Sequence, residues 1–283
     1  MGQTVERTSR KSAKPLRPVY RANLDAAPRP VAAQASTHTS TFTIPLHIHR
    51  RGQLLHAISG IMRTETADSV WIVPPARALW IPPELAHETS MRGHVEVRTL
   101  YIDPAYCGSL PKQAAMVEVS GLLRELILAA LEEPQDYADD SRGGIIAQLI
   151  LTELGRLQQQ TLPVPMPRDP RALRVARPLL DDCAIDLDLD AWAERAGASR
   201  RTLARLFRSE TGLSFAEWRA RLRTVDGMAR LANGASVAEA SASVGYASPS
   251  AFSAMVRRSL GRPLRAMVHH PGYAAQRPNH KKV

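Results

Sequence analysis

The chain has 283 residues, 44% of them hydrophobic, and carries 37 basic against 27 acidic side chains for a net charge of +10. That length accommodates two ordinary domains. Two cysteines, Cys107 and Cys183, make no disulfide framework, no apolar run is long enough to span a bilayer, and the basic N-terminal residues lead into no apolar stretch, so neither a membrane span nor a secretory signal is expected and a reducing cytoplasm fits. The charge is unevenly placed. Residues 37–167 hold 10 basic and 14 acidic groups, whereas residues 168–268 hold 17 and 11. A basic C-terminal part is the electrostatic footprint of phosphate binding.

Residues 1–36 are rich in Arg, Pro, Ala and Ser, offer little to bury, and read as a disordered basic arm. Residues 37–104 then run through short segments rich in β-branched and aromatic residues: "TFTIPLHIH", "QLLHAIS", "IMRTE", "SVWIVPP", "ALWIPP", "HETSM" and "HVEVRTLYI". Gly, Pro or Asp separates them, which predicts strands. Pro74, Pro75, Pro82 and Pro83 fall between the runs, where no ladder donor is missed. This spacing predicts a small antiparallel barrel or jelly roll. Residues 112–133 and 141–160 read as helices with apolar stripes, Leu122, Leu123, Leu126, Ile127, Ala130 and Leu131 in the first, Ile146, Leu149, Ile150, Leu154 and Leu157 in the second. Core packing and a homodimer face are both open for these stripes. Residues 161–170, "TLPVPMPRDP", read as an extended proline-rich linker, with helix resuming near Arg171.

The last third repeats one layout. "LDAWAERAGASRRTLARLF", from Leu189 to Phe207, and "SVAEASASVGYASPSAFSAMV", from Ser236 to Val256, each hold a short helix, a glycine, a turn and a second helix. That is a helix-turn-helix. Gly197 and Gly245 supply the positive φ that ends each first helix. Ser199 and Ser248 are N-caps of the second helices, and Pro249 suits the first helical position. Between the repeats, Phe215, Trp218, Leu222, Val225, Met228 and Leu231 recur at threes and fours and predict one amphipathic helix from Ser214 to Gly234. A stiff helix of this kind holds two recognition helices at a set separation. Placed about 34 Å apart, they would enter successive major grooves on one DNA face.

These residues resemble the AraC/XylS family of bacterial transcription regulators, most specifically in "GYASPSAF" and the following "LGRPL". The resemblance covers roughly residues 179–268. In the first domain, His47-Ile48-His49, Gln53, Gly60, Pro82 and His87 follow the order of the two cupin motifs. Gln53 stands where a carboxylate is usual, Glu84 where a glycine is usual, and Arg50 and Arg51 where an acidic and aromatic segment is usual. The resemblance implies an α+β multidomain fold: a cupin-like antiparallel β-barrel with following helices (37–160), the linker (161–170), an all-α double helix-turn-helix (171–268) and a disordered basic tail (269–283). It also implies a regulator that is no enzyme, with promoter DNA, a small-molecule effector and RNA polymerase as partners. The alternative is a metal-dependent cupin enzyme with an appended DNA-binding domain.

In the first recognition helix, Arg201 and Arg205 share a face and are the candidates to read bases, since arginine pairs bidentately with guanine. Ser199, Arg200 and Thr202 would touch phosphate. In the second, Ser248, Pro249, Ser250, Ser253 and Ala254, with Arg257 beyond, form a chemically poorer reader suited to backbone and shape contacts. In the first domain His47 and His49, two apart on a strand, point to one face. With Gln53 and His87 they are the candidate effector-binding set. No cofactor is required by this reading. A divalent metal on the same four residues, and plain barrel-lining polar side chains, are the other two readings. His56 is out of phase with the pair and reads as a satisfied core side chain.

Overall fold

The computed structural model describes residues 19–20, 24–75, 77–157 and 162–260. Eleven strands form two sheets. They are β1 (Val19–Tyr20), β2 (Val31–His38), β3 (Phe42–Ile48), β4 (Gly52–Ser59), β5 (Met62–Glu65), β6 (Ser69–Val73), β7 (Arg77–Ile81), β8 (His87–Met91), β9 (Val95–Ile102), β10 (Ala115–Glu118) and β11 (Val164–Pro165). One sheet has the order β1-β3-β8-β5-β6-β11, the other β10-β7-β4-β9-β2. All pairs are antiparallel except β1 with β3.

The layering follows from alternation along the strands. In the five-stranded sheet, Leu55, Ala57, Leu79, Ile81 and Val97 face the other sheet and join Met62, Trp71, Val73 and Met91 in a shared core. On its other side, Leu54, Trp80, Leu100 and Ile102 pack against two helices, α1 (Gly121–Ala130) and α2 (Arg142–Leu154). Burying both faces of one sheet explains why β4 and β7 read as nearly continuous apolar runs rather than alternating ones.

The helical stripes resolve into two parts. Leu123, Leu126, Ile127, Ile146, Ile150 and Leu154 are core, whereas Leu122 and Leu149, read on the same stripes, are exposed, as is Ile145. The helix expected from residue 112 begins only at Gly121. Residues 115–118 are a strand instead, because Met116 and Val117 point to opposite faces of β10 and each meets an apolar core. Ser120 then caps α1, its Oγ accepting from Leu123 N.

Among the described residues the C-terminal part holds six helices: α3 (Pro170–Asp181), α4 (Leu189–Ala196), α5 (Arg200–Thr211), α6 (Phe215–Ala232), α7 (Val237–Ser243) and α8 (Pro249–Leu260). Gly197 and Gly245 have φ of +64° and +78°, the left-handed turns expected of the two repeats. The connecting helix α6 opens with a reciprocal cap between Ser214 and Glu217. Trp218 lies fully buried at its start, edge-on to Phe207 of α5.

Two boundaries differ from the sequence reading. The arm 1–36 is not wholly disordered: residues 31–38 are the edge strand β2, paired along its whole length with β9. The cause is Arg51, which is buried and donates to the carbonyls of Ala27, Arg29 and Pro30, holding the lead into β2 in place. The rest of the arm, except residues 19–20 and 24–30, lies outside the described residues, as does the tail 269–283. The expected linker 161–170 is not a free spacer either. Val164 and Pro165 pair with β6, and Val164 and Met166 are buried in the helical core together with Val70 and Ile72. Trp218 Nε1 donates to the Pro165 carbonyl at 2.6 Å. Residues 158–161 lie outside the described set.

Ion pairs and backbone contacts close the seam between sheet and helices. Arg63 of β5 reaches Asp181 at 3.1 Å and the Leu180 carbonyl at 3.2 Å, Arg92 reaches Asp181 at 2.7 Å, and Arg177 pairs with Glu65. Gly60 N donates to Asn233 Oδ1 at 3.0 Å.

Two consequences can be measured. In the full chain Met166→Ala should cost roughly 2–5 kcal/mol, because its side chain is buried in the core shared by sheet and helices; an unchanged denaturation midpoint would show that the segment after β11 adds nothing to that core. His56 is the second case. It is buried, and its Nδ1 bonds the Arg77 carbonyl at 3.0 Å. Burial lowers its pKa below the ordinary value, with Arg124 and Arg98 pushing the same way. The folded ring is therefore neutral, while the unfolded chain takes up a proton below about pH 6.5. This contribution to stability is complete above that pH and declines as pH falls toward the lower folded pKa. His56→Gln should flatten that acid decline in urea titrations, and an unchanged slope would contradict the account.

Candidate nucleic-acid interface and histidine cluster

The first site lies between the sheets. His47 and His87 are direct register partners across β3 and β8, and His49 follows just past the end of β3. Pro45 sits at a register shift in β3, between Ile44 and His47, which is where a strand tolerates a missing donor. The three rings converge. His47 and His87 have centroids 4.2 Å apart, His47 and His49 4.9 Å, and His49 and His87 5.9 Å. One nitrogen from each lies within 4.8 Å of the others, and all three side chains are buried.

Their outer nitrogens are anchored. His47 Nδ1 bonds the Pro45 carbonyl at 2.8 Å, and His87 Nδ1 bonds the Leu85 carbonyl at 2.9 Å. A carbonyl only accepts, so in both rings Nδ1 carries a proton. His49 Nδ1 lies 3.6 Å from Asp25 Oδ1, a carboxylate almost as buried as the ring. Burial drives the His87 pKa down to about 3, with the neighbouring His47 adding to it, so the ring is neutral at ordinary pH. His87 Nε2 is buried with no hydrogen-bond partner among the described residues. Anchored N–H groups and inward lone pairs are the arrangement by which histidines ligate metals.

Gln53 stands apart from this trio. It belongs to β4 in the facing sheet, where its register partners are Ile81 and Tyr101. Its Oε1 is buried without a partner among the described residues. Tyr101 links the two halves: its ring meets the His49 ring edge-on at 5.3 Å, and its hydroxyl donates to Gln34 Oε1 at 3.3 Å. Asp25, Tyr101 and Gln34 are the residues that sequence reasoning missed. Two come from the segment read as an arm, and the third was read as an apolar strand position. The register of β9 against β4 is the only signal that places Tyr101 there.

Two departures from the cupin motifs acquire physical meanings. Arg51 holds the carbonyls of the segment that carries Asp25, and its own backbone N donates to Asp25 Oδ1 at 3.4 Å. Glu84, in place of a glycine, still adopts φ of +63°. That left-handed backbone disfavours a side chain by roughly 1–2 kcal/mol, and it is held by a bond from Glu84 N to the His49 carbonyl at 2.8 Å.

The second site is the exposed side of the two recognition helices. Ser199 caps α5, its Oγ accepting from Thr202 N at 3.1 Å. Leu203, Leu206 and Phe207 face the core, which leaves Arg200, Arg201 and Arg205 exposed and Thr202 half-buried. Arg200 is turned toward Asp190 of α4 and pairs with it. Among the described residues, Arg201 and Arg205 have no ion-pair partner, so their forks are available on one helical face. In α8, Ser248 Oγ accepts from Ala251 N at 3.2 Å, as an N-cap does. Pro249, Ser250, Ala254 and Arg257 are exposed, while Ser253 is half-buried and its hydroxyl donates back to the Pro249 carbonyl. Phe252, Met255 and Val256 are buried, so the valine at 256 is a core residue.

Comparison with known proteins agrees with this arrangement. Residues 192–269 match the family described as a helix-turn-helix domain. The HTH-type transcriptional regulator NimR of Escherichia coli is 31% identical over 224 residues, which span 79% of this chain and 82% of that protein. The HTH-type transcriptional regulator RipA of Corynebacterium glutamicum is 40% identical over 101 residues, 36% of this chain and 30% of that one. Among solved structures, the DNA-binding domain of AdpA in complex with a target DNA is 35% identical, covering 40% of this chain and 99% of that one, with a TM-score of 0.34. No helix among the described residues is long and apolar enough to cross a membrane. With two helix-turn-helix units on one connecting helix, and a relative matched over most of both chains, this chain belongs to the AraC family of helix-turn-helix transcription regulators.

Proposed function

We propose that the chain is an effector-responsive promoter-binding regulator in which α5 reads bases and α8 mainly docks. The observation that carries this is the asymmetry of the two exposed helix faces. α5 presents Arg201 and Arg205, each with five donors in a rigid fork. The matching face of α8 presents Ser250 and Ala254, and Ser253 spends its hydroxyl on its own helix. Ser199, Arg200, Thr202, Ser248 with the first amides of α8, and Arg257 then serve phosphate contacts, which position without specifying sequence. Selection of bound sequences from random duplex tests this. It should return one half-site well defined around guanines and one loose half-site. Arg205→Ala should cost about 1–3 kcal/mol at its cognate base and relax preference there, while Ser250→Ala should cost less and leave preference unchanged. A uniform loss across sequences for Arg205→Ala would mean a phosphate contact instead.

The two-sheet domain is, in this proposal, a cupin-like sensor, and His47, His49 and His87 are its effector site, with Gln53 and Tyr101 on the facing wall. The anchored Nδ1 atoms and the unsatisfied Nε2 of His87 favour one particular second reading, in which the group bound is a divalent transition-metal ion. Such an ion would be held by His47, His49 and His87 and would supply positive charge between the sheets. Gln53 offers an amide oxygen rather than a carboxylate, which supports a sensing role over catalysis. His47→Ala combined with His87→Ala should abolish the effect of effector or of added Zn2+ on promoter affinity, while basal DNA binding stays within about twofold, as expected for sites that share no contact residue. Equal loss of folding and of DNA binding would mean that the histidines only build the core.

A further inference from the structure

The connecting helix α6 carries one buried cation, Arg223, at the place where the two DNA-reading units touch. Its Nε donates to the Cys183 carbonyl at 2.8 Å, and its Nη2 to the carbonyls of Ala184 and Ile185 at 3.3 and 3.4 Å. Residues 183–187 lead into α4, the first helix of the first unit. One turn earlier on α6, Arg219 holds the same segment through the Leu187 carbonyl at 2.9 Å. On its other side the Arg223 guanidinium lies over the ring of Tyr246 at 5.5 Å, in the turn of the second unit. The neighbouring Gly245 abuts the same segment: a Cβ there would come within 2.9 Å of Ala184 Cα and 3.0 Å of Arg223 Nη2.

Arg223 thus touches the helix that joins the units, the lead-in of the first and the turn of the second. Among the described residues its one ion-pair partner is the exposed carboxylate of Asp186, 3.6 Å away and shared with Arg219. A buried cation paired chiefly with carbonyl dipoles is a poor device for stability, since desolvation offsets most of what the contacts contribute. It is a good device for geometry, because a planar fork accepts only one arrangement of its partners. Gly227 and Thr224, packed on Phe252 and Met255, hold α8 against α6, and Arg223 adds the contact to the turn of the second unit.

We propose that Arg223, stacked on Tyr246, is a positioning residue that sets the spacing and phase at which the two recognition helices meet DNA. This rests on the reading that both helices enter DNA. The test uses the full chain and the duplex that it selects from random DNA. Affinity is measured for that duplex and for one cut back so that it ends before the α8 half-site. Arg223→Lys keeps the charge and loses the fork, and Tyr246→Leu removes only the stacked ring. Both variants should bind the shortened duplex within about twofold of wild type and the full duplex about tenfold more weakly than wild type, the scale of one lost coupling between groups in contact. Full-duplex affinity equal to wild type in both variants overturns the proposal alone. So does an equal loss on every duplex, which would make the contact merely structural. Should Arg223→Lys not fold, as judged by thermal unfolding, the Tyr246→Leu result decides. A selected site with a single part would overturn the two-reader reading and this proposal together.

Discussion

Trp218 cannot bury its ring without also burying an indole N–H, and a buried donor needs an acceptor. The Pro165 carbonyl is that acceptor. The bond ties the start of α6 to a strand of the six-stranded sheet, while the ring packs against Phe207, which in turn meets Phe215. One side chain therefore joins the six-stranded sheet, α5 and the helix that leads to the second helix-turn-helix. Val70, Ile72, Val164 and Met166 complete the same core, so the two parts of the chain share a hydrophobic interior rather than a flexible tether.

That shared core gives the two candidate sites a physical connection. β8 carries His87 at the cluster and, two residues on, Thr89, whose hydroxyl meets Thr64 of β5 at 3.1 Å in the interior. The residues flanking Thr64, Arg63 and Glu65, point the other way and pair with Asp181 and Arg177 of α3. Alternation along two strands puts the cluster on one face of the six-stranded sheet and the grip on the helical domain on the other. Any ligand that shifts β8 acts on the same sheet that holds α3.

The segment before β2 shows how one substitution reorganises a motif. In a cupin-like first motif, arginine at 51 looks out of place beside the histidines. Its guanidinium collects the carbonyls of Ala27, Arg29 and Pro30, its backbone N meets Asp25, and that carboxylate lies beside His49. A guanidinium with five donors does this where a lysine could not. The histidine cluster is thereby supported from a part of the chain whose composition alone suggests no structure.

Much was legible in the residues alone because it rests on local chemistry. Seven of the strands, both helix-turn-helix repeats, their capping serines, the two left-handed glycines and the amphipathic α6 all follow from periodicity and from which residues tolerate positive φ. The convergence of His47 and His49 was legible from their spacing of two, His87 was legible only through the resemblance to the cupin motifs, and the arginine face of α5 was legible from helical spacing. What only the tertiary structure decided depends on partners distant in sequence. β2 is a strand because β9 needs an edge partner and Arg51 holds its approach. The proline-rich stretch is a strand because β6 and Trp218 are there to receive it. Tyr101 belongs to the histidine site because of a register 48 residues away at Gln53, and Arg223 is a buried hub because two separate units close around it. Short-range patterns encode elements, but register and burial are set by contacts that no window of sequence contains.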